Sequence, residues 1–102
     1  MSDKPGDPRF HGVLEELAAM HAKKAADYGS GKDVFANVRG SSAFGVPPWI
    51  GAMLRGNDKV KRIQSFIANG KLENEGVEDS LLDLASYAII ALVLLREERG
   101  AT

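Results

Sequence analysis

Cysteine is absent from this chain of 102 residues. Its absence excludes disulfide bonds, thiolate zinc sites and cysteine nucleophiles together. An excess of charge is also missing, because 13 basic residues stand against 14 acidic ones and the formal net charge is −1. A protein without a broad basic field cannot hold a DNA duplex mainly through counterion release. We therefore expect duplex nucleic acid not to be the partner.

The sequence also lacks a long uninterrupted apolar run. The strongest run, Leu81 to Leu95, contains Asp83 and is too short for a comfortable membrane span. The N-terminus, MSDKPGDPRF, is polar and lacks the apolar segment of a signal peptide. These features predict a cytoplasmic protein with no membrane partner.

The length fits one domain. Residues 1–8 are rich in proline, glycine and charge, which predicts a flexible N-terminal arm. Residues 9–100 are expected to form a single helical domain.

Three segments place apolar residues at helical spacing. The first covers residues 9–28, after Asp7 and Pro8 as a helix-start signal, and the second runs from about Pro48 to Asn69. The third runs from about Val77 to Arg99 and is followed by Gly100. We find no convincing strand, so the predicted class is all-α, a small bundle of about three main helices.

The segment between the first two helices, residues 29–47, contains four glycines and no clear periodicity. A connection of this length in a small domain is usually either functional or disordered. Its apolar residues favour packing, so we expect a long, ordered, glycine-rich loop.

Asp83 is the most informative residue of the third helix, because apolar residues flank it on both sides. A buried carboxylate must be paired, protonated or bound to metal. Asp79 lies four residues earlier and Tyr87 four residues later, so the three share one helix face. Either a cation lies between the two carboxylates, or Asp79 is exposed near the helix N-terminus while Asp83 pairs with an Arg or Lys.

The second helix carries Arg55, Lys59 and Arg62 at the spacing of one helix face, with Asp58 able to orient Arg62. Such a cationic stripe suits phosphate oxygens. It would equally suit Asp79 and Asp83, if the two helices packed together.

The first helix offers a further polar stripe. Glu16, Lys23 and Asp27 share a side of this helix, together with Met20. Taken alone, such a stripe is most simply a solvated face with ordinary charge pairs. With the other helices it becomes a candidate part of a site.

The third helix is apolar on more sides than two neighbouring helices can cover. Its residues 88–93 read Ala-Ile-Ile-Ala-Leu-Val. Exposed apolar surface of this kind marks an interface, so we expect a homodimer or a higher homo-oligomer.

Four motifs occur in order along the chain. They are Lys24-Ala-Ala-Asp27-Tyr28-Gly29, Phe35-Ala-Asn37-Val-Arg39, Arg55-x-x-Asp58-Lys59-x-x-Arg62 and Glu78-Asp79-x-x-x-Asp83-x-x-x-Tyr87. This string resembles the phage and bacterial family called nucleotide-modification-associated domain 1, whose members in actinobacterial phages are often labelled MazG-like. The resemblance covers roughly residues 10–97.

The resemblance implies a MazG-like, all-α nucleoside triphosphate pyrophosphohydrolase in the host cytoplasm, with Mg²⁺ as its cofactor. It implies metal ligands among Glu16, Glu78, Asp79 and Asp83, and catalytic roles for Glu16, Asp79 and Asp83. Residues expected to contact the nucleotide are Lys23, Lys24, Asp27, Asn37, Arg39, Trp49, Arg55, Lys59, Arg62 and Tyr87.

The sequence departs from the pyrophosphohydrolase pattern at two places. Those enzymes carry Glu-x-x-Asp where this chain has Ser80-x-x-Asp83, and Glu-x-x-Glu where it has only Glu15-Glu16. A phage protein that sequesters a nucleotide, or assists DNA modification without turnover, therefore stays an alternative. A third possibility is an interaction protein whose charges only pair between helices.

Overall fold

The computed structural model of the protein describes residues 5–28, 33–70 and 76–100. These residues form four α-helices: α1, Pro8–Tyr28; α2, Ala36–Arg39; α3, Pro48–Asn69; and α4, Val77–Glu98. A 3-10 helix, Gly40–Phe44, follows α2, and the described residues contain no strand. The all-α class and the three long helices are confirmed.

The chain forms two compact units, Met1–Val34 and Phe35–Thr102. The first unit contains α1, whose start is fixed by Asp7. The Asp7 carboxylate accepts a hydrogen bond from the backbone N–H of Arg9 at 2.8 Å, which is the expected N-cap interaction. The predicted helix stop at Gly29 and Gly31 and residues 1–4 of the predicted arm lie outside the described residues.

The second unit is built on α3 and α4. Pro48 at the first position starts α3, and Gly70 ends it with a left-handed φ of +78° while its N–H bonds to Phe66 O. The bounds of α3 agree with those predicted. The last helix, α4, ends at Glu98, one residue before the predicted end.

The described part of the predicted loop, residues 33–47, is more regular than expected. It folds into α2 and the 3-10 helix, elements too short to show a periodicity in the sequence. Val38 is buried here and Phe35 packs beside it, as expected, whereas Phe44 is 86% exposed. The hydroxyl of Ser41 closes the following turn by donating to the carbonyl of Val46 at 2.9 Å.

The core of this unit lies where α2 meets α3 and α4. Its buried members are Val38, Ala52, Ala91 and Leu94, with Phe35, Trp49 and Ile90 packed against them. Gly51 lets α3 approach the 3-10 helix, since a Cβ on Gly51 would lie 2.6 Å from Ser41 Oγ. Small residues therefore bring the elements close enough to share one core.

Candidate functional site

The register between α3 and α4 decides which charged residues meet. A Cβ on Gly56 would be in ordinary contact, at 3.5 Å, with Leu84 and Tyr87. Lys59 lies one turn after Gly56 on α3, and Asp83 lies one turn before Tyr87 on α4. The Lys59 ammonium is 3.1 Å from a carboxylate oxygen of Asp83. The helices are therefore antiparallel, and the cationic stripe of α3 runs beside the acidic beginning of α4.

We call this region the charged seam. It comprises Arg55, Lys59 and Arg62 of α3 and Asp79 and Asp83 of α4, with Asp58 and Glu78 next to them in sequence.

The ion pair between Lys59 and Asp83 is the centre of the charged seam. The two side chains are 19% and 23% exposed, so both charges are largely withdrawn from water without being sealed from it. A charge that is poorly hydrated must be paired, and each of these two side chains neutralises the other. Of the alternatives left open by the sequence, the structure contains the pairing of Asp83 with a lysine of α3.

The rest of the cationic stripe is divided between two environments. Arg62 is half-buried, whereas Arg55 is exposed, as is the neighbouring Asp58. The stripe thus does not form one uniform positive face. It presents one exposed guanidinium, one ammonium paired with a carboxylate, and one half-buried guanidinium.

The acidic members at the start of α4 are accessible. Glu78 and Asp79 lie in its first turn and are exposed, which is where carboxylates interact favourably with the helix dipole. The Asp79 carboxylate turns back toward the helix start, 4.0 Å from the position of a Cβ on Gly76. Ser80, three residues before Asp83, is fully buried.

Other residues expected to contact a nucleotide lie nearer the core of the second unit. Trp49 packs against the core cluster. The Arg39 guanidinium donates to both carboxylate oxygens of Glu97, at 2.5 and 3.1 Å, and so ties α2 to the end of α4. Asn37 is exposed on α2, and Tyr87 is half-buried beside Gly56.

The candidate residues of α1 belong to the first unit. Glu16, Lys23, Lys24 and Asp27 are all exposed on this helix. In the part of the chain that the structure describes, no three histidine, aspartate or glutamate side chains are grouped as a metal site would require.

A carboxylate with a lowered pKa lies at the start of α1. The Arg9 guanidinium donates to both oxygens of Asp7, at 3.0 and 2.6 Å. These bonds, with the smaller contribution of the Arg9 backbone N–H, hold the pKa of Asp7 below its ordinary value. This carboxylate caps a helix.

Two features of the site were not predicted from the sequence. Glu97 gave no signal, since it lies in a run of charged residues at the end of α4. The packing of Gly56 against α4 had a signal, because an isolated glycine within a helical pattern often has a packing reason.

No protein family model, curated protein or solved structure matches this chain. None of the helices within the described residues is long and apolar enough to cross a membrane.

Proposed function

We propose that this protein binds a phosphorylated nucleotide at the charged seam and acts as a magnesium-dependent nucleotide pyrophosphohydrolase-like protein. The observation that supports it is the ion pair between Lys59 and Asp83. This pair brings the cations of one helix and the carboxylates of the other to a single, partly accessible place. A metal-bound nucleotide also carries both kinds of charge. Its phosphates would pair with the cations of α3, and its metal ion would bind the carboxylates of α4.

The cations of α3 would bind the phosphates. Arg55 is exposed, so its guanidinium can take two phosphate oxygens at once. Lys59 can turn from Asp83 to a phosphate, because one negatively charged partner replaces another. Arg62 would then hold the phosphates from the more buried side.

The acidic residues of the charged seam have the ligand type that Mg²⁺ prefers. Mg²⁺ prefers carboxylate oxygens, keeps several waters, and is commonly held by one or two carboxylates together with substrate phosphates. Asp79 and Asp83, one turn apart on α4, would supply those ligands. Bound Mg²⁺ would neutralise phosphate charge and lower the pKa of a bound water.

A non-catalytic nucleotide-binding protein is the second candidate, and the same ion pair favours it. A carboxylate already neutralised by Lys59 does not require a metal. Ser80, where the enzymes have a glutamate, also points away from catalysis. Such a protein would sequester its nucleotide or assist DNA modification.

Incubation of the purified protein with a panel of nucleoside triphosphates, with and without Mg²⁺, tests both candidates. Release of pyrophosphate only with Mg²⁺ is the result expected of the enzyme. Binding without turnover would select the sequestering protein. If no nucleotide binds under either condition, the charged seam is a structural feature and both candidates are wrong.

A matched pair of variants locates the binding. Lys59→Ala removes the ammonium at the centre of the charged seam, whereas Lys61→Ala removes an exposed lysine that points to another side of α3. We expect nucleotide affinity to fall in the first variant and to be unchanged in the second. Equal losses would place the nucleotide elsewhere.

A further inference from the structure

The outward face of α4 has a regular pattern. The inward face carries Ser80, Ala91 and Leu94, all buried. On the opposite face, residues recur at alternating intervals of four and three, the spacing at which two helices pack along their length. We call this row the outer seam of α4; it consists of Glu78, Leu82, Ala85, Ile89, Leu92 and Arg96.

The middle of the outer seam is apolar and accessible. Ile89 is 47% exposed and Leu92 is 46% exposed, and next to the seam Leu81 and Val93 are 51% and 45% exposed. Leu82 and Ala85 are half-buried. Large apolar side chains that adjoin one another along a helix usually mark an interface.

The two ends of the outer seam carry opposite charges. Glu78 is exposed in the first turn of α4, and Arg96 is exposed in the last turn. A parallel partner helix of the same sequence would place like charges together at both ends. An antiparallel one would place Glu78 against the arginine of the other copy at one end, and Arg96 against its glutamate at the other.

We propose that two copies of this chain pair through the outer seams of α4, antiparallel and related by a twofold axis. In this register Leu82 lies opposite Leu92 of the other copy, and Ala85 opposite its Ile89. The seam from Glu78 to Arg96 is about 27 Å long at the rise of an α-helix. The pairing is isologous, so each favourable contact occurs twice.

Sedimentation velocity over a range of micromolar concentrations tests the pairing. We expect the wild type to form dimers and Ile89→Asp to raise the dissociation constant by about tenfold or more, as for a central interface residue. The control is Ile67→Asp, since Ile67 is 76% exposed on α3, away from the outer seam. The control should dimerise as the wild type does.

Charge reversal tests the direction of the helices. Glu78→Arg and Arg96→Glu should each weaken the dimer, and the double variant should restore it. The alternative is that Glu78 and Arg96 interact only with the dipole of their own helix and not with the other copy. Under that alternative the double variant is the least stable, and no rescue of dimerisation occurs.

Three results would overturn the proposal. They are a monomeric wild type, a dimer unaffected by Ile89→Asp, and a double charge reversal that fails to restore pairing. A wild-type monomer that loses thermal stability on Ile89→Asp would show that another segment of the same chain covers the seam. Circular dichroism of each variant establishes that its helices are intact.

Discussion

The two ends of the α3–α4 pair share one backbone arrangement but differ in how far their side chains are buried. At one end Ala52, Ala91 and Leu94 are almost completely buried and share a core with Val38. At the other end Lys59 and Asp83 keep about a fifth of their side-chain surface accessible. The first end can stabilise the fold by apolar burial, whereas the second retains charges that can change partners.

The contrast indicates how a small protein can separate stability from binding. A closed apolar contact loses stability with any change of volume. A partly hydrated ion pair contributes less to stability, so its members can be used for a ligand. Changes at the apolar end should therefore affect stability most, and changes at the charged seam should affect ligand binding most.

The largest loss of stability is expected at Leu94, which is 2% exposed. Leu94→Ala should lower the free energy of unfolding by about 2–5 kcal/mol, through lost apolar burial and the cavity left behind. Leu54→Ala is the control, because Leu54 is 55% exposed on α3. Urea unfolding followed by circular dichroism measures both, and equal losses would contradict the position of the core.

Gly51 should tolerate no side chain. Its Cβ would lie 2.6 Å from Ser41 Oγ and 2.9 Å from Val38 O, so Gly51→Ala should destabilise the protein by about 1–3 kcal/mol. Gly12 in α1 has no atom within 4 Å of its Cβ position. Gly12→Ala should instead stabilise the protein by about 0.5–1 kcal/mol, through better helix propensity. Opposite signs in thermal melts are the expected result, and a neutral Gly51→Ala would refute the close approach.

Removal of Asp83 separates the two roles of the charged seam. Asp83→Asn leaves the Lys59 ammonium without that carboxylate, and should cost about 1–3 kcal/mol, between the values for exposed and fully buried pairs. A double-mutant cycle with Lys59→Met isolates the coupling energy. Nucleotide titration of Asp83→Asn completes the experiment. Unchanged affinity together with lower stability would assign Asp83 a purely structural role.

The smallest effect is expected at the start of α1. Because the folded-state pKa of Asp7 is lowered, its contribution is present above the ordinary carboxyl value of about 4 and is lost as pH falls through the lowered pKa. Fraying of the first turn of α1 should therefore appear only in that acidic window. Amide chemical shifts of Arg9 and Phe10 report it, and Asp7→Asn should remove the pH dependence.

The helices were predictable because their signals are local. Asp7 before Pro8, Pro48 at the start of α3 and Gly70 after its end are sequence signals, and all three mark helix ends in the structure. The apolar spacing gave the three long helices for the same reason. The short helices over residues 36–44 were not predicted, since a single turn leaves no periodic pattern.

The sequence predicted which charged residues form the candidate site, but not which of them contact one another. The spacing of Arg55, Lys59 and Arg62 identified the stripe, but it could not tell which member faces α4. That choice depends on how α3 packs against α4, where Gly56 faces Leu84 and Tyr87, and this tertiary packing is not encoded in the spacing along one helix. The bond between Arg39 and Glu97 is likewise tertiary, and nothing local indicates it.

The central claim, that the charged seam binds a phosphorylated nucleotide, is tested most directly at Arg62. Wild type, Arg62→Ala and the control Lys61→Ala are melted with and without a nucleoside triphosphate and Mg²⁺. We predict that nucleotide stabilises the wild type and the control, and that Arg62→Ala weakens binding by about 1–3 kcal/mol. If no nucleotide shifts any melting temperature, while Arg62→Ala alone destabilises the fold by about 3–5 kcal/mol, the seam is structural and the claim is contradicted.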